Sequence, residues 1–148
     1  MKGKDVLSKF IFIGNKVNTW KLETRHVDKK GLKADLSFDF DYNVKDVQQN
    51  EKKLFGIIEF IVIARAKVKR KILFKIELVM EGAFGIESSL LTEDKFLEML
   101  EVNGLITLSQ ISRAYILSVT SQAGIPPVRV PMINILKLQE MKKQKENK

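Results

Sequence analysis

Three stretches of this chain alternate between apolar and polar residues, and that period of two constrains the fold more than any other feature. From Leu32 to Val44, one parity holds Leu32, Ala34, Leu36, Phe38, Phe40, Tyr42 and Val44; the other holds Lys33, Asp35, Ser37, Asp39, Asp41 and Asn43. Successive side chains of a β-strand point to opposite faces, so this segment is a strand with one apolar and one wet face. Antiparallel sheets commonly have that character. The run Leu54 to Val68 places Ile58, Phe60, Val62, Ala64, Ala66 and Val68 on one face. Its other face mixes Glu59, Arg65 and Lys67 with Ile57, Ile61 and Ile63, and is expected to be partly covered. Beyond a basic stretch, Ile72, Phe74, Ile76, Leu78 and Met80 again share a parity. So short a connection makes these two runs antiparallel neighbours. Ser8 to Glu23 is a weaker strand, interrupted near Gly14-Asn15. Its expected partner is the Leu32 strand, reached through Asp28-Lys29-Lys30-Gly31. The polar stretch Lys45 to Lys53 is expected to be a hairpin loop.

After Gly85 the period changes. Thr92 followed by Glu93 and Asp94 reads as a helix N-cap with acidic first-turn residues, which complement the helix dipole. Leu105, Leu108, Ile111, Tyr115, Ile116 and Val119 then recur at helical spacing, with Thr107 or Ser109 near the cap and Gly124 at the C-terminal left-handed position. All three prolines, Pro126, Pro127 and Pro131, lie in the turn that follows, where one helix ends and the next is re-aimed. The second helix carries Ile135, Leu136 and Leu138 on its apolar side and is expected to dissolve into a basic, frayed tail over residues 139–148. The prediction is an α+β fold: a four-stranded antiparallel sheet and two C-terminal helices in a single domain over residues 1–138.

At 148 residues the chain can bury a sizeable core, and its apolar and charged fractions of 45% and 30% are ordinary for a soluble protein. It has no cysteine, which excludes disulfide and thiolate chemistry. The lone His26, in a polar setting, assembles no metal site, and Gly82-Ala83-Phe84-Gly85 lacks the lysine of a phosphate-binding loop. Neither Ser88-Ser89 nor Ser118 to Ser121 forms a nucleophile elbow. The reading is therefore of a protein that is not an enzyme, with no catalytic residues, no metal and no cofactor. No apolar run reaches the roughly 20 residues of a membrane span. The opening residues lack the long apolar core of a secretory signal, so a cytoplasmic location is expected. The net charge of +8 concentrates in Lys67, Lys69, Arg70 and Lys71 and in the tail lysines Lys137, Lys142, Lys143, Lys145 and Lys148. Such clusters are usually solvated, and neither has the interleaved aromatics of a single-strand nucleic-acid surface. A nucleic-acid-binding module is the alternative reading and the less favoured one.

Several clusters, in order, resemble the SecB family of export chaperones. Phe10-Ile11-Phe12-Ile13 to Trp20-Lys21-Leu22-Glu23 is similar to that family's first strand, and Leu36 to Asp41 to its second. Glu77 to Ile86, with the Gly-x-Phe turn, is similar to the end of its fourth. Leu108 to Arg113, then Gly124-Ile125-Pro126-Pro127 and Pro131-Met132-Ile133-Asn134, is similar to its long helix and connecting loop. The resemblance implies a dimer of dimers that holds unfolded polypeptides without ATP, either for export or as the dedicated chaperone of an antitoxin. It implies a client groove of Leu36, Phe38 and Phe40 facing Ile135, Leu136 and Leu138. Those six residues could equally complete a closed core. Glu23 and Glu77 fit the family's surface for the translocation motor, whereas Thr19, between Lys16 and Lys21, and the basic tail depart from it. The long helix is apolar on more than one stripe, which suggests a partner subunit on its second side. Leu108, Ile111, Tyr115 and Met80 are the residues expected at that oligomer interface.

Overall fold

The computed structural model describes residues 2–5, 7–26, 31 and 33–147. Four long strands, β1 (Ile11–Thr24), β2 (Asp35–Gln49), β3 (Lys53–Val68) and β4 (Lys71–Glu87), form one antiparallel sheet. The helices α1 (Glu93–Met99), α2 (Leu105–Gln122) and α3 (Ile135–Glu146) follow. The α+β class, the four strands and the C-terminal helical region agree with the alternation in the sequence. The expected start of the second strand at Leu32 lies outside the described residues.

The strand order is β1-β4-β3-β2, which corrects the expected pairing of the first two strands. β1 lies along β4, from Ile11 opposite Gly85 to Thr24 opposite Phe74, and the two sequence neighbours β1 and β2 form opposite edges. Alternation fixes which face a residue occupies but not which strand lies alongside. β2 is an edge strand whose exposed parity carries Asp35, Asp39 and Asp41. The expected Lys45 to Lys53 loop is also corrected. β2 bulges between Val44 and Asp46 and continues to Gln49. The turn is only Asn50 to Lys52, where Asn50 Oδ1 accepts from the backbone N–H groups of Lys52 at 2.9 Å and Lys53 at 2.7 Å. The break near Gly14-Asn15 is a bulge within β1.

The even-numbered face of β3 and β4 is the core. Ile58, Phe60, Val62, Ile76, Leu78 and Met80 are all fully buried there. Thr92 caps α1, its side chain accepting from Lys95 N–H. The chain then widens into a π-helical turn over Leu100–Gly104 and runs directly into α2, so the two helices are continuous. There is consequently no cap at Thr107 or Ser109; their hydroxyls donate back to Asn103 O at 2.9 Å and Ile106 O at 2.8 Å. Gly82 lets α2 settle on β4, since a Cβ there would stand 2.7 Å from Leu108 Cδ2. Gly124 takes φ +77° just past the helix end, as its position predicts.

The proline segment is bound to α2 by two side chains. Thr120 Oγ1 accepts from Val128 N–H at 2.9 Å, and Arg113 Nε donates to Val130 O at 2.8 Å. Val128 and Val130 are buried. Asn134 Oδ1 then accepts from Lys137 N–H at 3.0 Å and starts α3. The tail expected to fray is instead helical through Glu146. Lysine, glutamate and glutamine are good helix formers, so their polarity marked an exposed helix rather than its end.

Candidate functional site

α3 reaches back across the β2 edge of the sheet. Ile135 anchors its first turn in the core, Gln139 Nε2 donates to Glu101 O, and Lys142 grips β2. The Lys142 ammonium donates to the carbonyl of Tyr42, to Asp41 Oδ1 at 2.9 Å and to Asn43 Oδ1 at 3.1 Å. It also lies 4.6 Å from the centroid of the Tyr42 ring. Between these anchor points the helix and the strand do not close.

The gap is a cleft of about 680 Å³ lined by Phe38, Asp39, Phe40, Asp41, Ile61, Ile63, Leu138, Met141, Lys142, Lys145 and Glu146. Its volume lies in the range of roughly 300–1,000 Å³ common to ligand sites. The lining draws on both parities of β2 and on the odd parity of β3, so the cleft wraps the sheet where β2 forms its edge. Phe38 and Phe40 stack at 6.1 Å between centroids, and Phe40 stacks on the core residue Phe60 at 6.1 Å, giving an aromatic floor.

Of the six residues expected in a groove, Phe38, Phe40 and Leu138 line the cleft. Ile135 is 6% exposed and belongs to the core. Leu36 lies on β2 outside the lining, and Leu136, 67% exposed, is not part of it. Leu136 is a third of a helical turn away from Ile135, whereas Leu138 is three residues on and shares its stripe. Met141, Ile61 and Ile63 were missed, together with the charged residues of the lining. The helical spacing of Leu138, Met141, Lys142 and Lys145 is the signal for the residues that α3 contributes.

Behind the cleft sits a small charge cluster. Burial pushes the Tyr42 hydroxyl up to about 12, and the nearby Glu101, Glu146 and Asp41 carboxylates act in the same direction. Burial also raises Glu101 above the ordinary carboxylate range, reinforced by Glu146 and opposed by Lys143 and Lys142. The open mouth has an apolar floor and charges mostly engaged in pairs. Such a cavity binds by burying apolar side chains, at about 25 cal/mol per Å² removed from water, without demanding a particular sequence.

Among solved structures, the chain matches the Mycobacterium tuberculosis Rv1957 SecB-like chaperone in complex with a ChAD peptide from the Rv1956 HigA1 antitoxin. The TM-score is 0.62 at 11% sequence identity, over 84% of this chain and 91% of that one. The fold is SecB-like. It also matches a protein of unknown function from Streptococcus agalactiae, with a TM-score of 0.47 at 16% identity, over 83% of this chain and 97% of that one. No protein-family profile and no curated protein matches the chain.

Within this SecB-like fold, Glu23 and Glu77 lie on the sheet face opposite the helices. Glu77 pairs with Lys21 at 4.0 Å, and Glu23 stands opposite Lys75. Lys16–Glu81, Lys45–Glu59 and Arg65–Asp39 are further ion pairs of the same face, so its acidic residues are interleaved with bases. The expected oligomer interface needs correction. Leu108 and Met80 are fully buried within the single chain, Leu108 being the residue that packs over Gly82. Ile111 and Tyr115 remain half-buried, and Tyr115 meets Trp20 edge-on at 5.4 Å. Helical spacing alone does not separate a stripe packed on its own sheet from one packed on a neighbour. No helix among the described residues is long and apolar enough to cross a membrane, and none of those residues gather as a group of three or more potential metal ligands.

Proposed function

We propose that this protein is a holdase, a chaperone that binds non-native polypeptide segments in the β2–α3 cleft without ATP. The observation that carries the reading is the open cleft itself. Phe38, Phe40, Leu138 and Met141 line a cavity that the chain's own side chains leave unfilled, at the edge of a SecB-like fold. Fully burying one leucine or phenylalanine side chain contributes about 1.5–3 kcal/mol. A few anchored side chains therefore give reversible capture of many sequences. The similar chaperone is bound to an antitoxin peptide. That supports a dedicated client, such as an antitoxin, over general export. The interleaved bases around Glu23 and Glu77 favour the same choice, since they weaken an acidic docking surface for a translocation motor. The reading includes a homotetramer built from dimers, with Ile111 and Tyr115 at a subunit contact, and action in the cytoplasm.

The test is suppression of aggregation of a chemically denatured client, without nucleotide, by the purified chain. Phe38→Asp should abolish it while the far-UV spectrum stays that of the wild type. A folded wild-type protein that leaves aggregation unchanged at stoichiometric amounts refutes the proposal.

A further inference from the structure

Three hydrogen bonds at the strand ends fix where the backbone groups of the whole sheet point. Asn50 N–H donates to Lys53 O at 3.0 Å, so odd-numbered β3 residues face β2; Ser88 N–H donates to Lys52 O at 3.0 Å, so even-numbered ones face β4. Arg25 N–H to Leu73 O at 2.8 Å agrees, with odd-numbered β4 residues facing β1. In an antiparallel pair, residues alternate between bonding to the partner and pointing away from it. Asp39, opposite Ile63, and Asp41, opposite Ile61, therefore bond to β3. Leu36, Phe38, Phe40 and Tyr42 aim their N–H and C=O groups out of the sheet's free edge. The side chains of Phe38 and Phe40 point into the cleft from the same positions.

That edge is blocked at one place. Tyr42 N–H donates to Asp41 Oδ1 at 2.8 Å, and its carbonyl accepts from Lys142, so both outward groups of Tyr42 are satisfied. Among the described residues, nothing does the same for Leu36, Phe38 or Phe40, which leaves three donors and three acceptors along the free edge, two of each at the cleft. Backbone polar groups demand partners once water is displaced.

We propose that the cleft receives its polypeptide as an added β-strand on the free edge of β2, from Leu36 to Phe40, with Asp41 and Lys142 as the stop that ends it. This rests on the holdase reading and specifies its binding mode. The occupant is an extended segment with apolar residues at alternate positions. Main-chain bonds supply affinity independent of sequence, and the Phe38–Phe40 floor selects apolar side chains. Lys145 and Glu146 line the same cleft outside any ion pair among the described residues, and so can meet charge of either sign in the bound segment.

The test reads amide hydrogen exchange of the full chain by NMR, with reduced, carboxymethylated α-lactalbumin as the permanently unfolded probe. Exchange at Phe38 and Phe40 should slow about tenfold or more while Tyr42 is unchanged, since each new bond is worth about that factor. A second arm uses a short peptide of alternating leucine and threonine, N-methylated either at every leucine or at every threonine. A strand on the edge offers only one parity of N–H to β2, so one methylated form should lose binding and the other keep it. Binding of the probe with unprotected Phe38 and Phe40, or equal binding of the two methylated peptides, overturns the strand mode and leaves the holdase standing. Failure of the unmodified probe and peptide to bind overturns both.

Discussion

Lys142→Met is the substitution that most directly tests how α3 is held to the sheet. The variant keeps most of the aliphatic stem and removes the ammonium that bridges Tyr42 O, Asp41 and Asn43. The lysine side chain is 19% exposed and that of Asp41 58% exposed, so the ion pair is half in water. An exposed pair contributes about 0.2–1 kcal/mol. A charged donor on a carbonyl contributes about 1.5–3 kcal/mol when buried, and less here because water reaches an edge strand. The methionine sulfur keeps part of the contact with the Tyr42 ring. These terms overlap, and the net loss is about 1.5 kcal/mol. Unfolding entropy of roughly 2.1 cal/mol/K per residue gives about 0.3 kcal/mol/K for 148 residues, so Tm should fall by about 5 °C. Thermal melts in a cycle with Asp41→Asn should return a coupling of about 0.5–1 kcal/mol that shrinks with salt. Far-UV helix content should persist, because Ile135 and Leu138 still pack against the core. A Tm within about 1 °C of wild type would refute the clamp and reduce the Lys142 contacts to a screened surface arrangement.

Met141→Asp should weaken capture of a denatured client severalfold in an aggregation assay with little change in Tm, whereas Leu136→Asp, outside the cleft, should leave both as they are. Glu101→Gln should raise Tm at neutral pH. The raised carboxyl binds its proton more tightly in the folded state, so its contribution is greatest below the ordinary carboxylate pKa and declines as pH rises through the folded value. The wild type should therefore show a downward slope in Tm over that window that the variant lacks. Gly82→Ala should cost about 1–3 kcal/mol in urea denaturation, because its Cβ would force Leu108, and α2 with it, off the sheet.

The strands and the apolar face of the sheet were legible because one side of each strand packs and the other is wet, which writes burial into parity at Phe60, Val62, Ile76 and Leu78. The neighbour of β1 was not legible, since parity is blind to strand order. At the site, Phe38, Phe40 and Leu138 were recoverable from pattern and resemblance. Met141 and Lys142 were not, because a run of lysine and glutamine reads alike as a solvated helix or a loose tail until something across from it, here Asp41 and Tyr42, supplies a partner. Leu108 and Met80 show the opposite limit: spacing marks them for burial without saying that the surface they meet belongs to their own chain.

The placement of β1 beside β4 also sets the order of events during synthesis. β1 leaves the ribosome before the other three strands, yet the strand it needs is complete only about 60 residues later, which takes roughly 3–12 s at ordinary elongation rates. β2 and β3 meanwhile can zip together through one short turn, a local and fast process. For those seconds the apolar segment Phe10 to Ile13 lacks the β4 residues, Phe84 and Gly85, that it pairs with in the fold. Even in the finished fold Ile11 and Ile13 stay largely exposed on their edge. The SecB-like sheet thus forms with its first strand waiting, unpaired, for the last one to arrive.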